Sequence, residues 1–481
     1  MYESFCGIVS QIDGLVWGWP MIILLIGTHL FMTLRTKGIQ RKLGTAIKLS
    51  ISSEDSKHEG DVSQFQALTT ALASTIGTGN IVGVGTGLLF GGPGAIFWMW
   101  ITGVFGIATK YSETFISVKY RVKDHAGNML GGAMYACERG FKNKKVGKTL
   151  AVLFALFTAI ASFGIGASTQ TNSLLGILQS SSLIPGGESI PGWLVGLILV
   201  ALVGIVIFGG IQSIAKVCEK LVPFMAIFYT ACCLIIIAMN WQFVGEALWL
   251  IASCAFTGQA AFGGAVGSGI MYALQYGFKR GLFSNESGLG SAPLVAANAT
   301  TKNPARQSLV SMTGTFWDTV VICAITGIML VSTMLAHPEI AEAILAAGGP
   351  DAYTASALTS ACFNSIPIFG PLVLLIGMVC FSYSTILGWS HYGNRAIAYL
   401  FGKRAIKPYY VVFLFFVFWG CIGGFTVVWD IADITNALMA IPNCIAVLVL
   451  SNIIARETNH YVYDGNMDEV NTEEIPVFES K

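Results

Sequence analysis

Residues 71–85 read Ala-Leu-Ala-Ser-Thr-Ile-Gly-Thr-Gly-Asn-Ile-Val-Gly-Val-Gly, hydroxyls and an amide set among glycines within an apolar stretch. Each glycine weakens a helix by about 1 kcal/mol relative to alanine, so the stretch is expected to unwind. An unpaired N–H or C=O costs several kcal/mol in hydrocarbon and is tolerated at membrane depth only against protein, ligand or a water-filled cavity. Such a break offers amides to an anion and carbonyls to a cation, the arrangement by which secondary transporters hold solutes near the midplane. Further polar groups lie in apolar surroundings: Gln170 in Gly-Ala-Ser-Thr-Gln-Thr-Asn, Asp318, and the adjacent hydroxyls of Ser384 and Thr385. An intramembrane carboxylate is expensive and functional by default; Asp318 could support a cation site, relay a proton or pair with another group. The chemistry is binding rather than bond-making. No zinc pair, Gly-x-Ser-x-Gly nucleophile or paired Ser/His set is present, and the six histidines have no metal-like spacing. The eleven cysteines are scattered and read as small buried hydrophobes. Neither an enzyme nor a cofactor is expected.

The elements that must position these groups are membrane helices. Of 481 residues, 54% are hydrophobic and 11% charged, where soluble proteins carry roughly 25% charged residues; a polytopic all-α membrane protein follows. A net charge of +1 without a Lys/Arg-rich run gives no sign of nucleic-acid binding. The N-terminal Met-Tyr-Glu-Ser-Phe-Cys lacks the basic region of a cleaved signal, so the first span is expected to stay. Apolar windows of about 20 residues, enough for a hydrocarbon core of about 30 Å, fall at 17–36, 65–90, 93–120, 150–178, 192–212, 217–239, 255–277, 308–334, 368–396, 408–427 and 430–454. Eleven spans are expected. Basic residues gather after alternate ones: Arg35 to Lys57 after the first, Lys110 to Lys148 around the end of the third, and Lys216 and Lys220 after the fifth. Lys279, Arg280, Lys302 and Arg306 follow the seventh, Arg395 to Lys407 the ninth, and Arg456 and Lys481 the eleventh. By the positive-inside rule that face is cytoplasmic, with the N-terminus outside and the C-terminus inside a cell membrane. Lys110, Glu113, Asn285 and Glu286 read as inner-gate or lipid-interface groups. The acidic tail after Arg456 reads as a mobile cytoplasmic segment.

A second glycine cluster, Gly258, Gly263, Gly264, Gly267 and Gly269, interrupts the seventh span. Five spans separate the interruptions, an odd offset that inserts two five-span units with opposite orientation. Paired broken segments in inverted halves point to a transporter's binding site, whereas an isolated Gly-x-x-x-Gly would signal close helix packing. The expected organisation is an accessory helix and loop over 1–60, a first five-helix repeat over 61–240, an inverted repeat over 241–455 and an acidic tail over 456–481.

The run Gly-Gly-Pro-Gly-Ala-Ile-Phe-Trp-Met-Trp-Ile-Thr-Gly-Val-Phe-Gly from Gly91 resembles a signature of the alanine or glycine:cation symporter family, the sodium:alanine symporters. So does Phe-Lys-Arg-Gly-Leu-Phe-Ser-Asn-Glu-Ser-Gly-Leu-Gly-Ser-Ala-Pro from Phe278, expected at the cytoplasmic face. The resemblance covers most of the chain and implies a LeuT-like fold and Na⁺-driven uptake of a small neutral amino acid, alanine or glycine, by alternating access. Gly77-Thr78-Gly79-Asn80 also resembles the Gly-x-Gly-Asn break of LeuT-like neurotransmitter:sodium symporters. For a zwitterionic substrate the half-helix after the break would offer its N–H groups and positive dipole end to the carboxylate, through the Thr78 and Gly79 amides and the Thr78 hydroxyl. Gly79 lets the backbone approach closely. Carbonyls of Ser74, Thr75 and Ile76, with those around Gly263 to Gly267, would accept from the ammonium. The resemblance favours Gln170 as a wall of the site; it could instead bridge two helices. It further implies a Na⁺ corner in span nine, the Ser384 and Thr385 hydroxyls with the Phe381 carbonyl, completed by the Ala73 and Ile76 carbonyls. Hydroxyls in helices otherwise bond back to their own i−4 carbonyl. A second cation site maps to Thr75 and Asn80, unless Asn80 caps the half-helix. Trp389, one turn after Thr385, with Phe163 and Phe262, could wall the side-chain pocket.

A channel would need a carbonyl-ring filter or a ring of charges, and the sequence has neither. A proton-coupled permease of the same fold is the nearer alternative, distinguished by uptake that ignores Na⁺ and depends steeply on pH.

Overall fold

The computed structural model describes residues 2–52, 59–257, 269–347, 355–423 and 426–478. Its principal helices are α1 (Tyr2–Val16), α2 (Trp19–Arg35), α3 (Gln64–Thr75), α4 (Gly79–Gly91), α5 (Pro93–Lys119), α6 (Ala133–Gly140), α7 (Lys144–Ser180) and α8 (Gly192–Ile207). There follow α9 (Gly210–Met239), α10 (Trp241–Thr257), α11 (Ile270–Asn285), α12 (Pro304–Ala336), α13 (Phe369–Phe401), α14 (Ile406–Ile422), α15 (Thr426–Val449) and α16 (Ser451–Thr458). The sheet among the described residues is a two-strand hairpin, β1 (Val122–Lys123) antiparallel to β2 (Met129–Leu130). Among the described residues, seven helical stretches are long and apolar enough to cross a bilayer, and α3 with α4 makes an eighth, bent by 51°.

Local chemistry sets the ends. Ser63 caps α3 through a reciprocal pair: its hydroxyl accepts from the Gln66 amide (3.1 Å) while the Gln66 carboxamide accepts from the Ser63 amide (3.2 Å). Asn143 caps α7, and Asn303 caps α12 with Pro304 as its first residue. α3 stops where Ile76 turns extended (φ −75°, ψ 92°), and the chain resumes in a wide π turn at Gly79–Gly83. Two more π stretches widen α7 at Gly164–Ser168 and α12 at Phe316–Cys323, a deformation frequent at functional sites.

The helices pack in two groups. α4, α5, α11 and α12 lie against one another; α7, α8, α13 and α14 form the other group, and α3 and α9 pack against members of both. At one end Arg35 donates to Asn452, the Tyr463 hydroxyl donates to the Thr36 carbonyl (2.7 Å), and Val62 pairs with Ala299. This end carries most of the basic loops. Lys279 and Arg280, expected there too, lie inside α11 instead and are buried. The whole run from Phe278 to Ala299 is buried. Lys110 and Glu113 are not lipid-interface groups either: their ion pair (3.0 Å) is buried, Lys110 donates to the Glu286 carbonyl (2.9 Å), and Glu113 accepts from Gly288, Gly290 and Asn443. Nor is the tail free, because residues 464–478 are tied to the loops.

Candidate binding site at the broken helix

Gly77 has room for no side chain: a methyl there would overlap Thr385 Oγ1 and stand 3.2 Å from Gln170 Oε1. This close approach brings α3, α7 and α13 together at the break. The Thr385 hydroxyl donates to the Ala73 carbonyl (3.0 Å) and lies 3.4 Å from the Ile76 carbonyl. Ser384, one residue away, bonds to the Phe381 carbonyl (3.0 Å) and not to α3. Ligand oxygens about 2.4 Å from an ion the size of Ca²⁺, at right angles, would be about 3.4 Å apart, the separation of the Thr385 and Ile76 oxygens. Gly388 repeats the device, since a side chain there would collide with Ser74 Oγ.

Gln170 reaches the break from α7. Its Oε1 accepts from the Thr78 amide (3.2 Å) and its Nε2 donates to the Ile165 carbonyl (2.9 Å) in the widened turn. The amide expected to meet a carboxylate is therefore engaged by glutamine here, while Thr78 Oγ1 is buried without a partner among the described residues. Ser74 and Thr75 turn their hydroxyls back onto α3 carbonyls. Asn80 is not a cap of the following half-helix: its Oδ1 accepts from the preceding Gly77 amide (2.8 Å), which closes the break.

Asn80 also donates to Asp318 Oδ1 (2.7 Å), where Ser284 (2.8 Å) and Thr319 (2.6 Å) donate to Oδ2. Asp318 is thus fully buried yet met by three donors, the condition under which a carboxylate survives in an apolar interior. Ser284 belongs to the run from Phe278 that resembles a family signature, and nothing in that run marks it as a partner of Asp318. A methyl on Gly79 would touch Phe283 (3.0 Å) and the Ser284 Cα (3.2 Å), and the chain next turns left-handed at Glu286, Gly288 and Gly290. This second irregular stretch is held by Lys110 and Glu113 of α5. The expected interruption at Gly258–Gly269, with Phe262 and the Gly263 to Gly267 carbonyls, lies outside the described residues except for Gly269.

The aromatic wall is only partly as expected. Trp389 packs against Gly166, is set edge-on to Tyr392 (5.3 Å, 71°), and keeps its Nε1 buried without a partner among the described residues. Phe163 faces away, stacked on Phe416 (5.0 Å) of α14. Away from the basic end lies a buried ionic cluster that no spacing along the chain signals. Lys279 pairs with Asp13 of α1 (2.5 Å) and Asp433 of α15 (2.8 Å), and Arg280 pairs with Asp433 (2.7 Å). Arg280 also lies over Phe283 and Trp429, which stack on each other (5.4 Å). Ion pairs and rings together seal that side of the break.

The architecture matches solved structures. MhsT in complex with L-phenylalanine superposes with a TM-score of 0.56 at 16% identity, covering 82% of this chain and 89% of that one. A Na⁺-coupled sialic acid symporter gives 0.54 at 13% identity, covering 90% and 87%. These show the fold: a helical bundle of the LeuT-like kind. The chain belongs to the sodium:alanine symporter family, whose model matches residues 2–475. Among its relatives are the sodium/alanine symporter AgcS of Methanococcus maripaludis, 45% identical over 95% of this chain and 97% of that protein. A probable sodium/glutamine symporter, GlnT, of Bacillus subtilis is 34% identical over 94% and 90%. From the same organism, a putative sodium/proton-dependent alanine carrier, YrbD, is 33% identical over 92% and 90%.

Proposed function

We propose that the protein is a Na⁺-coupled symporter that imports small neutral amino acids, alanine first and glycine with it, by alternating access. The observation that carries this reading, beside the family, is the Thr385 hydroxyl reaching across to the Ala73 and Ile76 carbonyls. With the proton turned away and Ser384 and the Phe381 carbonyl alongside, these oxygens would hold Na⁺. The ion would then tie α13 to the break, so that sodium favours the state competent for substrate. The substrate carboxylate would displace Gln170 Oε1 from the Thr78 amide and reach the Gly79 amide and the unpartnered Thr78 hydroxyl. The Ser74 to Ile76 carbonyls would take the ammonium. The basic end is cytoplasmic by the positive-inside rule, with the N-terminus outside. Lys279 and Arg280, neutralised by Asp13 and Asp433, do not count as loop charges. A cavity of about 960 Å³ that opens at the basic end and reaches His391 would be the inner approach.

One ion suffices. Na⁺ crossing 100 mV inward releases about 2.3 kcal/mol and a tenfold gradient adds about 1.4 kcal/mol; about 3.7 kcal/mol supports roughly 500-fold accumulation of a neutral solute. Asp318 favours a second reading, in which a proton or second cation joins the cycle through the Asn80, Ser284 and Thr319 cluster. Radiolabelled alanine uptake into proteoliposomes with Na⁺, Li⁺ or K⁺ outside, wild type beside Thr385→Ala, tests the first. Accumulation that requires Na⁺ and fails in the variant is expected. Uptake indifferent to Na⁺ and steep in pH would move the assignment to Asp318.

A further inference from the structure

Residues 464–478 cross the basic end as a strap. Asn303 donates to the Met467 and Glu469 carbonyls (both 2.9 Å), the Asn471 amide donates to the Lys302 carbonyl (2.8 Å), and Asp468 pairs with Lys302 (2.8 Å) and Arg306 (3.0 Å). All of these anchors lie at the start of α12. Further along, Glu473 pairs with Lys119 at the end of α5 (3.1 Å). The strap then extends the edge of β1: the Lys123 amide donates to the Pro476 carbonyl (3.0 Å) and the Phe478 amide to the Lys123 carbonyl (2.8 Å). Its tip leaves this group. The Phe478 ring sits edge-on to Tyr135 of α6 (5.2 Å, 87°) and stacks near Tyr399 of α13 (6.2 Å, 24°).

Those contacts join the two helix groups, because the anchors are on α5 and α12 while Tyr399 is on α13. Phe478 also lines the 960 Å³ cavity with Arg395, Ala398 and Phe401. A merely solvated acidic tail would account for the ion pairs, but not for an aromatic tip seated between two tyrosines at the cavity's mouth. We propose that the strap is a latch: docked Phe478 holds the mouth at its present width, and α13 moves away from the α5–α12 group only when the tip releases. The proposal rests on the transport reading in taking that cavity as the inner approach.

The test uses the full-length protein in nanodiscs. Ala398→Cys sets a thiol in the cavity, and its rate of modification by a membrane-impermeant maleimide, against the protein lacking that substitution, reports the opening. Phe478→Ala should raise the rate about fivefold or more, because two aromatic contacts are lost from the docked state alone. Asp468→Lys should raise it as well, and adding Lys302→Asp should bring it back down, a recovery that general destabilisation would not give. Unchanged rates in both Phe478→Ala and Asp468→Lys would overturn the latch. Failure of the wild type to accumulate alanine would overturn the transport reading alone, since the labelling does not depend on uptake.

Discussion

Gly77→Ala puts the geometry of the break to its hardest test. The backbone at Gly77 is not left-handed, so alanine is not strained by its own conformation and the effect is purely one of space. The added methyl overlaps Thr385 Oγ1 and comes within 3.2 Å of both Thr385 Cβ and Gln170 Oε1, all on buried helices. Forcing a methyl into a packed interior costs about 1–3 kcal/mol. If α13 yields so that the cost falls on the ion-bound arrangement of the proposed sodium corner, Na⁺ is weakened by about 5-fold to about 150-fold. The measurement is the Na⁺ concentration for half-maximal alanine uptake in proteoliposomes, with the melting temperature recorded alongside. Gly83→Ala is the matched control, because its nearest neighbours stand at 3.7 and 4.0 Å, ordinary contact distance. A Gly77→Ala protein whose Na⁺ requirement stays within about threefold of wild type, below about 0.7 kcal/mol, would refute the assignment of the ion to this junction.

Asp318→Asn sets an amide donor against three converging donors, and should cost about 1–3 kcal/mol, read as a lowered melting temperature; an unchanged one would mean the cluster is not the buried network drawn here. Lys279→Met strips one cation from the pair of buried carboxylates and should destabilise by about 3–5 kcal/mol, measured by denaturation in detergent, with Asp13→Asn in the same protein recovering part of it. Asp124 lies outside the spans. Burial raises its carboxyl, but bonds from Lys403 (2.6 Å), Asn128 and the Asn128 and Ala126 amides outweigh this and bring it down to about 2. Its folded value is below the unfolded one, so its stabilisation is complete above about pH 4 and is lost as pH falls towards about 2. Asp124→Asn should remove that part of the acid sensitivity of the melting temperature.

The break at Ile76–Thr78 was legible because glycines, hydroxyls and an amide inside an apolar run have few other uses, and that run held its place in the bundle. Thr385 was legible for a related reason: a hydroxyl pair in a long apolar helix must bond either backwards or across, and Ser384 and Thr385 divide the two possibilities between them. The partner stretch at Glu286–Gly290 was not. Just before it, Lys279 and Arg280 lie close enough to an apolar window to read as loop residues, and the distant carboxylates Asp13 and Asp433 are what hold them buried in α11. Phe163 failed for a simpler reason, since spacing along a helix does not say which of two neighbouring helices an aromatic faces. The tail was read by charge alone, and charge is equally consistent with solvation and with docking onto Lys302 and Lys119.

The ionic cluster bears on how such a chain can be made. α11 carries two adjacent cations, and each costs about 2.5–3.5 kcal/mol at the centre of a lone membrane helix. Asp13 is synthesised long before Lys279, but Asp433, which meets both cations, emerges about 150 residues after them. α11 therefore cannot settle at its final depth as an independent segment when it leaves the translocation machinery. It must wait at the interface, or beside α1, until α15 arrives. Loss of Asp433 would then show itself first as a defect in biogenesis, with misinserted or degraded chains, and only afterwards as a defect in transport.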